Sequence, residues 1–233
     1  FTLVDLPSLG MKVGHLGAEP DPSFKQAAEN GVSVIVWGQA GMKSGNKDAD
    51  LSMDGYVYDA GNNEVVGGKR YVGSASVARL MAHRFADELV FRYTGEPGIA
   101  RTKIAYVSEL GTARELFVMD YDGYDPRQLT ADGFLNLMPR WSPDRRFLVF
   151  TTYRNRNTQD IDMIELATGK RWTLVAQGGL NITPVFSPDG NSLAYSSSHE
   201  GNAELYRLDT KTKAVQRLTT HAAGDLSPSW SPS

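Results

Sequence analysis

Hydrophobic and polar positions repeat through the second half of the chain. Each copy opens with an apolar pair, continues with an aliphatic segment that ends in an acid, and closes on an aromatic residue followed by Ser-Pro. The aromatic residues are Trp141, Phe186 and Trp230, so the steps between them are 45 and 44 residues. A repeat of 40–50 residues that holds several short strands is typical of a β-propeller blade.

The pattern predicts four short strands in each repeat. In the first copy we expect strands at 104–108, 115–120 and 127–129, followed by a link into Trp141. The aromatic residue should fill the wedge between neighbouring blades, and the Ser-Pro-Asp turn should lead into the innermost strand of the next blade. Arg145 stands where the next copy has Gly190, and a left-handed backbone there would cost an arginine about 1 kcal/mol.

The first 98 residues show no repeat and alternate between helical and strand patterns. Asp21-Pro22 and Asn30-Gly31 predict the start and stop of one helix, and a stripe of apolar residues spaced by four predicts another at 76–93. Continuous or alternating apolar runs predict strands at 32–37, 51–59 and 65–73, the last two joined as a hairpin. We therefore expect an incomplete α/β domain at 1–98, a mixed sheet with two helices. Three of the blades of a β-propeller should follow at 99–233.

Composition excludes several classes of function. The 233 residues carry a net charge of −3, which argues against partners held by bulk positive charge, such as nucleic acid or anionic membranes. There is no cysteine, hence no disulfide or thiolate metal site, and no apolar run long enough for membrane insertion. Both ends read as cuts within a longer protein, so the lack of a signal peptide carries no weight.

The candidate chemical motifs favour structural explanations. There is no Gly-x-Ser-x-Gly nucleophile elbow, no His-Glu-x-x-His motif, and none of the four histidines has metal-ligand spacing from another. The glycine-rich segment 38–45 is expected to be a mobile hairpin or loop rather than a phosphate cradle. Asp120, Asp122 and Asp125 resemble a calcium loop but predict an acidic turn. We therefore expect no catalytic residue, metal or cofactor.

Three segments resemble the TolB family. Residues 89–98 (LVFRYTGEPG) are similar to its domain-ending helix and exit, 101–107 to its first propeller strand, and 115–124 (ELFVMDYDGY) to its most specific segment. The resemblance implies an α/β domain joined to a six-bladed propeller, in a non-enzymatic periplasmic protein of the Tol-Pal system. It implies binding to the peptidoglycan-associated lipoprotein Pal through the propeller, to TolA through a stretch that would precede Phe1, and to some bacteriocins. Three of the six blades would follow Ser233.

The family's Pal contacts at the channel mouth give a candidate partner-binding site. Matched by position and by repeat, they fall on Asn136, Leu137, Met138, Leu180, Asn181, Ile182, Thr183, Asp225, Leu226 and Ser227. These positions mix small, polar and apolar residues, as an interface rim does. The alternative is that they are ordinary loop residues.

Three hypotheses for function remain open from the sequence. The first is an envelope scaffold that supports outer-membrane integrity and cell division and performs no chemistry. The second is the propeller of a prolyl-oligopeptidase-like serine peptidase whose catalytic domain is missing. The third is a half-propeller that pairs with a second copy through its open blade edges.

Overall fold

The structure is a computed structural model that describes residues 20–42, 50–155 and 157–232. These residues belong to two units, one ending at Arg101 and the other beginning at Thr102. In its described residues the first unit contains two α-helices and one sheet of three strands: α1 (Phe24–Glu29), β1 (Val34–Met42), β2 (Asp50–Asp59), β3 (Glu64–Ser74) and α2 (Ala78–Thr94).

The sheet of the first unit is antiparallel, in the order β1-β2-β3, so the expected mixed sheet is wrong for the described residues. Short connections between consecutive strands allow only antiparallel pairing, because a parallel pair needs a crossover of a dozen or more residues. Residues 38–42, expected in a mobile hairpin or loop, belong to β1 and form one arm of a hairpin with β2. Gly38 permits this close pairing, since a Cβ there would lie 2.4 Å from the carbonyl oxygen of Asp54. Residues 43–45 lie outside the described residues.

The helices begin later than the sequence predicts. Asp21 accepts a hydrogen bond from the backbone N–H of Ser23 (2.9 Å) and so shapes the turn before α1 rather than capping it. The predicted stop is confirmed, because Asn30 caps the helix and Gly31 follows at a φ of 79°. In α2, Met81 is buried as expected, whereas Leu80 is exposed.

The second unit consists of three antiparallel sheets, in the orders β4-β5-β6, β7-β8-β9-β10 and β11-β12-β13-β14. We refer to these as the first, second and third sheets. Their strands are β4 (Lys103–Leu110), β5 (Ala113–Asp120), β6 (Arg127–Gln128), β7 (Asn136–Trp141), β8 (Phe147–Thr152), β9 (Asp160–Glu165), β10 (Arg171–Val175), β11 (Asn181–Phe186), β12 (Ser192–Ser197), β13 (Glu204–Asp209) and β14 (Val215–Arg217).

The Ser-Pro-Asp turn lies inside a sheet rather than between two blades. Ser142 follows β7 and its backbone N–H bonds the carbonyl oxygen of Phe147 at the start of β8 (2.9 Å), which closes a hairpin. The predicted position of the turn is therefore wrong, because a repeat gives the length of a unit but not where the unit begins. The second and third sheets each have four strands, whereas the first sheet has three within the described residues. Its strands β4, β5 and β6 correspond to the second, third and fourth strands of the other two sheets.

The repeated aromatic residue packs between neighbouring sheets, as predicted. Trp141 contacts a cluster that combines Leu116 of the first sheet with Leu148 of the second. Phe186 contacts the corresponding cluster of Val149 from the second sheet and Leu193 from the third. These clusters hold most of the buried apolar surface in the second unit, so the sheets are joined face to face by the repeated side chains.

The left-handed position in the turn is confirmed. Arg145 has a φ of 63° and Gly190 a φ of 72°. We expect Arg145→Gly to raise the free energy of unfolding by about 0.5–1 kcal/mol, because glycine adopts this conformation without strain. The matched change Gly190→Ala should lower it by about 1 kcal/mol, since the added Cβ makes only an ordinary 3.7 Å contact with Pro143 and backbone strain remains. Urea unfolding measures both changes in the free energy of unfolding. If both variants shift it in the same direction, the left-handed backbone does not explain the difference between the two turns.

Candidate functional site

Seven of the ten residues of the predicted partner site lie at the start of the first strand of a sheet or immediately before it. A shared motif of Asn or Asp, an aliphatic residue, a variable residue and Pro occurs at 136–139, 181–184 and 225–228. The first two copies open β7 and β11, and β11 packs against β7 and β8 of the preceding sheet. The third copy lies in a segment without a strand. We call residues 136–138, 180–183 and 225–227 the strand-start face.

The residue before each proline has a left-handed backbone. The φ values are 56° for Met138, 54° for Thr183 and 59° for Ser227. The pairing register shifts there, between Leu137 and Arg140 in β7 and at the corresponding place in β11. A positive φ is uncommon in residues other than glycine, and such strain concentrates at functional sites. A bulge of this kind also redirects neighbouring side chains.

Hydroxyl groups from the preceding sheet hold two of these three strained residues, Thr183 and Ser227. The backbone N–H of Thr183 donates to Thr151 Oγ1 (3.3 Å), and that of Ser227 donates to Ser196 Oγ (3.2 Å). Ser196 Oγ also lies 3.2 Å from Thr183 Oγ1. Thr183 and Ser227, from successive repeats, therefore meet at one hydroxyl. Sequence reasoning missed Thr151 and Ser196, although they occupy the same place in successive repeats.

The two asparagines of the strand-start face are buried. Asn181 has no exposed surface, and its Nδ2 donates to the carbonyl oxygens of Gln177 (2.6 Å) and Gln159 (3.0 Å). Ser197 Oγ donates to Asn181 Oδ1 (2.7 Å). Asn136 is equally buried, and its Nδ2 donates to Asp132 Oδ1 (3.0 Å). Contrary to the expected rim position, these amides hold the loops before β7 and β11 and present no side chain to a partner.

The remaining predicted residues are accessible to different degrees. Met138 is 42% exposed and Leu226 is 54% exposed, which is high for large apolar side chains. Ser227 is also exposed, whereas the others of the predicted set are half-buried: Leu137, Leu180, Ile182, Thr183 and Asp225. The strand-start face thus exposes apolar side chains, and hydrogen bonds to Thr151 and Ser196 hold parts of its backbone.

A buried ionic network supports the part of the face that β7 forms. Arg171 on β10 donates from Nε to Asp162 Oδ2 (2.6 Å), and a terminal nitrogen donates to Asp132 Oδ2 (2.5 Å). The same guanidinium bonds Thr152 Oγ1 (2.9 Å) and Asn136 Oδ1 (3.3 Å). Burial alone would raise the pKa of Asp132, but hydrogen bonds from Asn136 and the Phe134 N–H, together with Arg171, hold that pKa below its usual value. The network therefore keeps Asp132 charged and the loop before β7 in place.

The described residues offer little for catalysis or metal binding. Ser197 Oγ lies 3.0 Å from His199 Nδ1, but this serine is wholly buried and donates to Asn181, so no substrate could reach it as a nucleophile. Within residues 20–42, 50–155 and 157–232, no three potential ligand side chains group around a metal position. No helix in this described part is long and apolar enough to cross a membrane. Asp122 Oδ1 accepts the N–H of Tyr124, as expected of an acidic turn.

Comparison with known proteins identifies the family. Residues 90–233, more than half of the chain, match the family described as the TolB beta propeller domain. The chain belongs to the TolB family. The resemblance read from residues 89–124 is thereby confirmed, and the fold is a TolB-like β-propeller with mostly antiparallel sheets and two helices.

Relatives within the TolB family cover the chain almost completely. It is 33% identical over 232 residues to "Protein TolB homolog" of Chlorobium chlorochromatii, covering all of this chain and 51% of that protein. It is 32% identical over 199 residues to "Tol-Pal system protein TolB" of Desulfosudis oleivorans, covering 85% of this chain and 44% of that protein. The crystal structure of TolB from Acinetobacter baumannii matches with a TM-score of 0.75 and 26% identity, over 84% of this chain and 49% of that one. The chain thus spans about half the length of the relatives it matches.

Proposed function

We propose that this chain is part of a periplasmic, non-enzymatic scaffold of the Tol-Pal system, whose propeller binds the peptidoglycan-associated lipoprotein Pal. Its relatives named "Tol-Pal system protein TolB" support membership of that system. In this proposal the complete protein supports outer-membrane integrity and cell division. It contacts TolA through the extreme N-terminus of the complete protein, and some bacteriocins use the same surfaces.

The peptidase alternative is not favoured. The relatives with 31–33% identity over most of the chain are TolB proteins, and their names describe no hydrolase. The serine–histidine contact in the third sheet is buried, which also argues against a nucleophile in this half of the protein. We therefore infer a role in binding rather than in catalysis.

The observation that carries the proposal is the threefold recurrence of a strained, left-handed residue on the strand-start face. Met138, Thr183 and Ser227 share this geometry, and the aliphatic residues beside them reach the surface to different extents. Fixing a strained backbone in advance reduces the conformational entropy that is lost on binding. A preformed surface with scattered apolar side chains is suited to a folded protein partner. In the proposal the partner contacts are Leu137, Met138, Leu180, Ile182, Thr183, Asp225, Leu226 and Ser227, held in place by Asn136 and Asn181.

Placing a charge on the strand-start face should weaken Pal binding. We expect Leu226→Asp to reduce the affinity for the soluble Pal domain at least tenfold, about 1.4 kcal/mol or more, because the interface would bury an unpaired carboxylate. Isothermal titration with the full-length protein measures the affinity.

Val215 on β14 provides the matched control. It is an apolar residue that is 42% exposed, compared with 54% for Leu226, but it lies on the last strand of the third sheet. Val215→Asp should leave the affinity within twofold of the unmodified protein. If Leu226→Asp folds and binds Pal as tightly as Val215→Asp, the strand-start face is not the Pal site.

A further inference from the structure

A crevice of about 240 Å³ opens between the second and third sheets, beside the Ser-Pro-Asp turns. These turns follow the ends of β7 and β11, whereas the strand-start face lies at their beginnings, so the crevice is separate from the proposed Pal site. Its apolar wall includes Met163 and Phe186, and its polar wall includes Asp144, Asp189 and Lys213. A cavity of 150 Å³ holds a benzene molecule, so this space accepts one aromatic side chain.

The repeats explain why the crevice exists. Phe186 stands where the other two copies carry Trp141 and Trp230, and Gly190 stands where the preceding copy carries Arg145. Trp230 donates from its indole N–H to the carbonyl oxygen of Val185 (3.1 Å), a hydrogen bond that a phenyl ring at 186 cannot make. At this junction the aromatic side chain is therefore smaller than in the other two copies, and residue 190 has no side chain.

The charges around the crevice match a cation in the same place. Hydrogen bonds from Ser187 and Asn191 lower the pKa of Asp189 to about 2, so its carboxylate is ionised at neutral pH. A hydrogen bond from Ser142 likewise lowers the pKa of Asp144. The lining thus carries two carboxylates and one ammonium group, from Lys213. Arg146 also lies beside the crevice, 5.1 Å from the centroid of the Phe147 ring, where it pairs with Glu165 (3.3 Å). That pair is neutral as a whole, so one net negative charge remains, which attracts a basic group beside an apolar one.

We propose that this crevice binds a peptide segment of a protein partner by taking up an aromatic side chain next to a basic residue. The aromatic ring occupies the volume left by Phe186 against Met163, and the basic group lies near Asp144 and Asp189. This site does not depend on the proposed binding of Pal.

Methyl NMR of the full-length protein tests the site with short peptides as probes. Methionine methyl groups report on both regions, because Met163 lines the crevice and Met138 lies on the strand-start face. Acetyl-Trp-Arg-amide should shift the Met163 signal saturably at millimolar concentration and leave the Met138 signal unchanged. Acetyl-Ala-Arg-amide and acetyl-Trp-Glu-amide should bind at least tenfold more weakly.

Two variants that introduce the residues found at the equivalent positions of the preceding repeat should block the crevice. Phe186→Trp fills the crevice, and a raised unfolding temperature would show that the variant is folded and the new ring is packed. Gly190→Arg places a cation above the carboxylates. Each should abolish the Met163 shift without changing Pal affinity, whereas Leu226→Asp should do the reverse. Absence of a saturable Met163 shift in the unmodified protein, equal binding of the three peptides, or an undiminished shift in folded Phe186→Trp would overturn the proposal.

Discussion

Replacing Arg171 by methionine should lower the free energy of unfolding by about 3 kcal/mol at neutral pH. The guanidinium is 15% exposed and bonds Asp162, whose side chain is wholly buried. Removing one member of a buried ion pair leaves an uncompensated charge, which typically costs about 3–5 kcal/mol. We place the expected value at the lower end because Arg154 remains 3.8 Å from the same carboxylate. Urea unfolding followed by tryptophan fluorescence measures the change.

Arg146 provides the control for this prediction. It also pairs with a carboxylate, Glu165 at 3.3 Å, but its side chain is 66% exposed. Arg146→Met should therefore change the free energy of unfolding by less than about 1 kcal/mol. The double change Arg171→Met with Asp162→Leu should recover at least about 1 kcal/mol of the loss, because the unpaired charge is removed with its partner. Equal effects of the two arginine variants would show that burial does not set the strength of the network.

Replacing Asn181 by leucine should lower the free energy of unfolding by about 3 kcal/mol. The change keeps the size of the side chain but removes the donor to the Gln177 carbonyl oxygen and leaves the Ser197 hydroxyl with His199 Nδ1 as its remaining partner, in a site where Asn181 and Ser197 have no exposed surface. A buried polar group that loses its hydrogen bond costs about 1–3 kcal/mol. Chemical denaturation of the chain measures the loss.

The matched control for this change is Asn191→Leu. Asn191 follows the Ser-Pro-Asp turn, is exposed, and donates to Asp189 (2.8 Å). Its replacement should cost less than about 1 kcal/mol, since water can satisfy the freed carboxylate. A loss at Asn181 no larger than at Asn191 would mean that the asparagine of the repeat does not anchor the loop before β11.

The sequence predicted those features that depend on local chemistry and on the repeat itself. Trp141 and Phe186 pack between sheets as expected, and Arg145 has the left-handed backbone that its alignment with Gly190 indicated. Both features follow from residue types that recur at a fixed period. A large flat side chain at the same place in each repeat is expected to fill the wedge between sheets. A glycine in one repeat indicates a left-handed backbone at the equivalent position of the others. The family was also identified correctly from segments near the junction of the two units.

Other features depend on contacts between distant residues, which one sequence does not reveal. The phase of the repeat is set by the hairpin between Ser142 and Phe147, and the periodic pattern is the same whichever strand begins the unit. Asn181 was expected at an interface rim because it matches a Pal contact of the TolB family by position, yet its side chain is buried and donates to the Gln159 carbonyl oxygen, 22 residues away. The hydroxyl support of Thr183 likewise comes from Thr151, in the preceding sheet.

Titrating the full-length protein with the soluble Pal domain from the same organism, by calorimetry, tests the central claim most directly. The account predicts binding that is micromolar or tighter, from a propeller surface that is already fixed before the partner arrives. No detectable heat over a range of temperatures, with both proteins shown to be folded, would contradict it.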